Sequence, residues 1–180
     1  MRNKFLIITL AIAMGLGAVA CGSSDTKVIE STESNQAAST AAAAQSESSG
    51  YTFSYNGTTI AVDADAAPII EALGDAKNYF ESPSCAAEGI GKLYTYDDFE
   101  IQTYPDGDTD RVLYVLLKTD NVSTAEGIDL ASSRDDIVAA YGEPTTEETG
   151  SMKYEKDGMT LVFIFDGDSL ISIEYDSSLN

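Results

Sequence analysis

The chain has 180 residues, with 30 acidic and 10 basic side chains, two cysteines and no histidine, for a formal net charge of −20. Such a charge repels nucleic acid and anionic lipid headgroups, and suits a highly solvated exported domain. Without histidine, Ser-His-Asp and Cys-His catalysis in their usual forms are excluded, as are the HExxH metalloproteases.

The chain begins with Arg2 and Lys4, followed by an apolar run from Phe5 to Ala20 that is broken only by Thr9 and two glycines. A charged start, a short apolar stretch and small residues before a cut make residues 1–20 a signal peptide. The run is too short to favour a spanning helix, which needs ~20 apolar residues. Residues 21–50 are mostly Ser, Ala, Thr, Gln and Glu, with Val28 and Ile29 the only large apolar side chains. They cannot bury enough surface to offset the entropy of ordering, so they read as a disordered tether. A coil of this length reaches roughly 30 Å root-mean-square.

Residues 51–180 hold all ten tyrosines and suffice for one domain with a core. They open on "YTFSYNGTTIAV", a hairpin around Asn56-Gly57. The next segment, "TIAVDADAAPIIEALGDA" (59–76), recurs without a gap as "GIDLASSRDDIVAAYGEP" (127–144), at an offset of 68. Ile60 meets Ile128, Ile69 meets Ile137, and Gly74 meets Gly142. Each copy reads as an extended piece followed by a short helix. Pro68 suits a first helical turn, and Ser133 with Asp136 forms a capping-box pattern. The two glycines suit the left-handed position that ends a helix.

A strand is expected after each helix, at "KLYTY" (92–96) and "SMKYE" (151–155), and then a hairpin with an Asp-Gly turn. The hairpins are "FEIQTYPDGD" plus "VLYVLL" (99–117) and "MTLVFIFDGD" plus "LISIEY" (159–175). The insertion before the first of these strands is longer and carries Cys85, expected as a small buried apolar residue in a loop. The pattern predicts an α+β fold. Two tandem helix-plus-antiparallel-sheet units, 51–120 and 121–180, would form one compact domain.

Two resemblances add to this reading. Ala18-Val19-Ala20-Cys21 resembles the bacterial lipobox, which implies cleavage before Cys21 and a diacylglycerol thioether on it. Removal of Arg2 and Lys4 then leaves 30 acids against 8 bases, a net charge of −22. Two acyl chains anchor a protein stably to a bilayer. The second repeat resembles the SmpA/OmlA (BamE-like) outer-membrane lipoproteins and the beta-lactamase-inhibitor-protein fold, itself a tandem repeat of such units. The matching positions include Ile128, Leu130, Ile137, Gly142, Pro144, Tyr154, Phe163 and Gly167. The resemblance implies a non-catalytic protein-binding or envelope-assembly role, and it transfers no partner and no binding residue.

The expected function is therefore a lipid-anchored exported lipoprotein on the extracytoplasmic face of the cell membrane. It would bind an unknown protein, without a cofactor and without enzymatic activity. Tyr94, Tyr96, Gln102, Tyr104 and Tyr114 are the candidate partner-binding residues, because tyrosine is enriched in interface cores. Leu113 and Val115 are expected to face the core, which would put Tyr114 on the opposite side. Two alternatives carry specific residues. Asp106, Asp108 and Asp110 alternate as at the start of a calcium loop, but the glycine and glutamate such a loop needs are replaced by Arg111 and Leu117. Asp97, Asp98 and Glu100 are the one cluster that suggests a histidine-free hydrolase.

Overall fold

The computed structural model describes residues 50–180. The expected signal peptide, Cys21 and the expected tether as far as residue 49 lie outside the described residues. Within them, no helix is long and apolar enough to cross a membrane.

A small hairpin comes first, β1 (Phe53–Tyr55) with β2 (Thr58–Ile60). Its Asn56-Gly57 turn has both φ angles positive, at 49° and 83°, as a two-residue hairpin turn of this type requires. Next is α1 (Ala66–Leu73), then β3 (Asn78–Pro83), β4 (Ile90–Thr95), β5 (Phe99–Asp106) and β6 (Thr109–Leu117). The same order then recurs as α2 (Arg134–Tyr141), β7 (Thr146–Glu148), β8 (Ser151–Lys156), β9 (Met159–Asp166) and β10 (Ser169–Ser177).

Both helices start and stop for local reasons. Asp65 caps α1 by accepting from the Ala67 amide at 3.0 Å. Ser133 and Asp136 close a reciprocal capping box on α2. Gly74 and Gly142 end the helices at φ 76° and 80°, each donating its N–H to the carbonyl four residues back. A tyrosine from the sheet then ties down each end. Tyr96 donates to the Gly74 carbonyl at 3.4 Å, and Tyr154 to the Gly142 carbonyl at 3.0 Å.

The fold is mostly β, not two α+β units. All eight later strands form one antiparallel sheet in the order β3-β4-β5-β6-β10-β9-β8-β7. The helices are only eight residues each. What recurs is the order of elements within one sheet. The expected division into two helix-plus-sheet units fails because the last strands of the halves pair with each other. Leu117 lies opposite Ile173, Val115 opposite Tyr175, and Tyr114 opposite Asp176. Pairing there removes two central edges and satisfies their backbone groups.

One face of the sheet, both helices and the hairpin enclose the core. Phe99, Ile101, Val115 and Leu117 from the first half meet Ile173, Tyr175, Leu161 and Phe163 from the second, with Ile69 and Ile137 from the helices. Phe53 of β1 sits over the join, its ring 5.1 Å from Phe99 and 6.3 Å from Tyr175.

A bulge recurs in both halves. Val112 and Tyr114 pair with Thr103 and Gln102, leaving Leu113 extra. Leu170 and Ser172 pair with Phe165 and Ile164, leaving Ile171 extra. The extra residue breaks the two-residue alternation. This corrects the expectation that Leu113 faces the core beside Val115. Leu113 is buried outside the main core cluster, and Ile171 is 53% exposed.

Candidate functional site: the uncovered sheet face

Among the described residues, nothing encloses the face of the sheet opposite the helices, and its side chains are half-buried. Register places Leu93, Gln102, Tyr114, Asp176 and Thr160 side by side across five strands. The next row runs Thr95, Glu100, Leu116, Glu174, Val162 and Lys153. Tyr114 and Leu116 from β6 thus lie against Asp176 and Glu174 from β10. Val162 is 7% exposed and lies outside the core cluster, so this face has a small apolar floor of its own. Lys153, Thr160, Val162 and Asp176 line an open cleft with Asn180 at its lip.

The electrostatics of the centre are acidic. Burial pushes the Asp176 carboxyl up to about 6, Glu174 adds repulsion, and Asn180 and Lys153 oppose the rise. Burial also raises Tyr114, and Glu100, Glu174 and Asp176 add to it. Glu100 itself is held by Lys118 at 2.9 Å and by the Thr95 hydroxyl at 3.2 Å.

The raised Asp176 carboxyl has a direct consequence for stability. An unfolded aspartate titrates near ~3.9, so between about pH 4 and pH 6 the folded chain binds a proton more tightly than the unfolded one. Stability from this group is present below the unfolded value and is lost as pH rises through the folded one. With solvent screening allowed for, ionised Asp176 destabilises the fold by about 1–2 kcal/mol at pH 7. Asp176→Asn should therefore stabilise the protein by that amount at pH 7, with the gain fading toward pH 4. Paired urea titrations at the two pH values measure it, and a destabilised variant at pH 7 would contradict the burial of this carboxylate.

Of the five sequence candidates, Gln102 and Tyr114 are brought together on the open face. Tyr94 and Tyr96 are not there. Tyr94 pairs with the core residue Ile101, so it points to the helix side, where it packs against the core beside Tyr79. Tyr96 is 9% exposed and stacks on Phe99 at 4.8 Å. Tyr104 is also buried, and its hydroxyl donates to Asp63 at 2.9 Å. Tyr94 and Tyr96 serve packing because alternation turns them to the helix side, whereas Tyr104 keeps the alternation of Glu100 and Gln102 in β5, lies outside the core cluster and is buried and anchored at Asp63.

The acidic candidates do not converge. Asp106 pairs with Arg111 and Asp110 with Lys92, while Asp108 stands exposed in the turn. Asp97 pairs with Lys77, and Asp98 accepts from Thr119 at 2.7 Å and Asn121 at 2.9 Å. No group of three potential metal ligands forms among the described residues. Cys85, expected to be buried, is exposed, because the loop that carries it lies beyond the end of the outermost strand pair.

No family model, curated protein or solved structure matches this chain. The site therefore rests on its own geometry.

Sequence reasoning missed Glu174, Asp176 and Leu116 as neighbours of Tyr114. Alternation in "LISIEYD" is a signal that could have separated Glu174 and Asp176 from Ile173 and Tyr175. Nothing in the sequence showed that this strand lies beside β6. Asp63 was missed for the same reason, since its partners Tyr104 and Ser177 lie 41 and 114 residues away.

Proposed function

We propose that this chain is a lipid-anchored exported lipoprotein whose folded part is a non-catalytic protein-binding module of the cell envelope. The observation that carries the reading is the sheet face left open by the described residues, with Tyr114 set among Gln102, Leu116, Glu174 and Asp176. A large amphipathic ring on a rigid strand, surrounded by apolar and acidic neighbours, suits the centre of a binding patch. Its acidity selects a partner that presents basic side chains. The likeness of residues 127–175 to the SmpA/OmlA and beta-lactamase-inhibitor patterns supports a binding role over an enzymatic one. The small-small-Cys sequence ending at Cys21 supports the anchor.

The test places a photo-cross-linking residue at Gln102 of the full chain, expressed in cells. A discrete adduct with one protein is expected at Gln102 and not at Thr59, which is exposed on the opposing hairpin. Tyr114→Ala should reduce that adduct at least tenfold, as loss of a central tyrosine does in ~2 kcal/mol hot spots. Cys21→Ala should release the chain from the membrane fraction. Absence of a Gln102 adduct would remove the binding face, and unchanged membrane retention would remove the anchor.

A further inference from the structure

Among the described residues neither outer strand of the eight-stranded sheet has a further partner, and the two edges are unlike each other. β7 is three residues, Thr-Glu-Glu, with Glu147 and Glu148 both exposed. Short, charged edges resist pairing with another strand. β3 is six residues, with Tyr79 51% exposed and Phe80 63% exposed, one on each face of the sheet. Its one charge is Glu81.

The outward backbone groups of β3 follow from its register. Ser84 donates to the Gly89 carbonyl at 2.9 Å, in register with Pro83 opposite Ile90. That makes Ser84 and Gly89 a hydrogen-bonded pair, so Ser82, Phe80 and Asn78 also point their backbone groups at β4. Tyr79 and Glu81 then turn both N–H and C=O outward. Pro83 takes the next outward place, where its missing N–H breaks no bond within the sheet.

We infer that β3 is a self-pairing edge, through which two copies of this chain join antiparallel about a two-fold axis at Phe80. With Phe80 opposite its own copy, Tyr79 faces Glu81 of the second copy, and Glu81 faces Tyr79. These outward residues exchange four main-chain hydrogen bonds. The two phenylalanines form the non-hydrogen-bonded pair, in which side chains approach closest. The polar groups match as well. Tyr79 already donates its hydroxyl to Glu81 within one strand, and the same donor and acceptor meet across the axis. A register centred on Glu81 would oppose two carboxylates. One centred on Tyr79 would need the Lys77 amide, which is already bonded to the Thr95 carbonyl. The alternation of exposed aromatics with a single acid therefore selects a second copy in one register. A six-residue edge is smaller than a standard interface, and the net charge of −20 repels, so the dimer is weak and strengthens with salt.

Register-specific cross-linking tests this in the full chain, expressed in cells. Cys85 is replaced by Ser, and Phe80→Cys, Asn78→Cys or Glu147→Cys is added, followed by mild copper oxidation. All these positions are exposed or at a strand edge. Opposed Cα atoms of a non-hydrogen-bonded pair lie ~4.5 Å apart, within disulfide reach. Phe80→Cys should give a disulfide-linked dimer at least tenfold above Cys85→Ser alone, with Asn78→Cys and Glu147→Cys close to that baseline. No dimer at position 80, equal yields at all three positions, or a mixed adduct of position 80 with another protein would each overturn the self-pairing.

Discussion

Phe53→Ala should lower the stability of the folded part by about 3–5 kcal/mol, the range for removing a fully buried phenylalanine. Phe53 is 0% exposed and contacts both halves of the sheet, through Phe99 on one side and Tyr175 on the other. The hairpin that carries it has only three residues in each strand, so little else can hold it in place. The cavity would open where β6 and β10 join, between rigid strands that cannot collapse into it. A domain of this size is stabilised by roughly 5–15 kcal/mol in total, so the variant loses much of that margin. Urea unfolding followed by tyrosine fluorescence is the measurement, since the chain has no tryptophan. A loss below ~1 kcal/mol would show that the hairpin is not part of the cooperative core.

Asp63→Ala should destabilise by about 2–4 kcal/mol, from two orphaned hydroxyls and one strained backbone position. The Asp63 carboxylate accepts from Tyr104 at 2.9 Å and from Ser177 at 2.7 Å. Both donors are buried, at 7% and 3% exposed. Burial, with Asp63 beside it, pushes the Tyr104 hydroxyl up to about 12. The Asp63 backbone is also committed, donating to the Val112 carbonyl and accepting from Arg111, both at 2.8 Å. Its φ of 61° suits aspartate or asparagine far better than alanine. Asp63→Asn keeps an acceptor oxygen and tolerates that backbone, so its loss should stay under ~1.5 kcal/mol. Equal losses for Ala and Asn would mean the charge matters and the latch geometry does not.

Local chemistry made many elements legible. The hairpin at Asn56-Gly57, the capping box at Ser133 and Asp136, the glycine stops at 74 and 142, and the Asp-Gly turns at 106–107 and 166–167 all lie where nearby residues fix the backbone. Even the recurrence survives, since both bulges fall at aligned positions. β3 and β7 were not legible. They are edge strands with almost no buried face, so neither carries the alternation of apolar side chains that marks a strand in sequence.

By itself the sequence determined where both helices stop, where the Asn56-Gly57 and two Asp-Gly hairpins turn, and which catalytic chemistries the lack of histidine excludes. Tertiary structure alone decided that the two halves share one sheet, because the antiparallel register of β6 with β10 joins residues 56 to 62 apart that no local pattern links. That pairing also set the candidate site. It brought Tyr114 against Glu174 and Asp176, while the core and Asp63 took Tyr96 and Tyr104. A tyrosine in a strand has two faces available to it, and which one meets solvent depends on what the rest of the chain lays over the sheet.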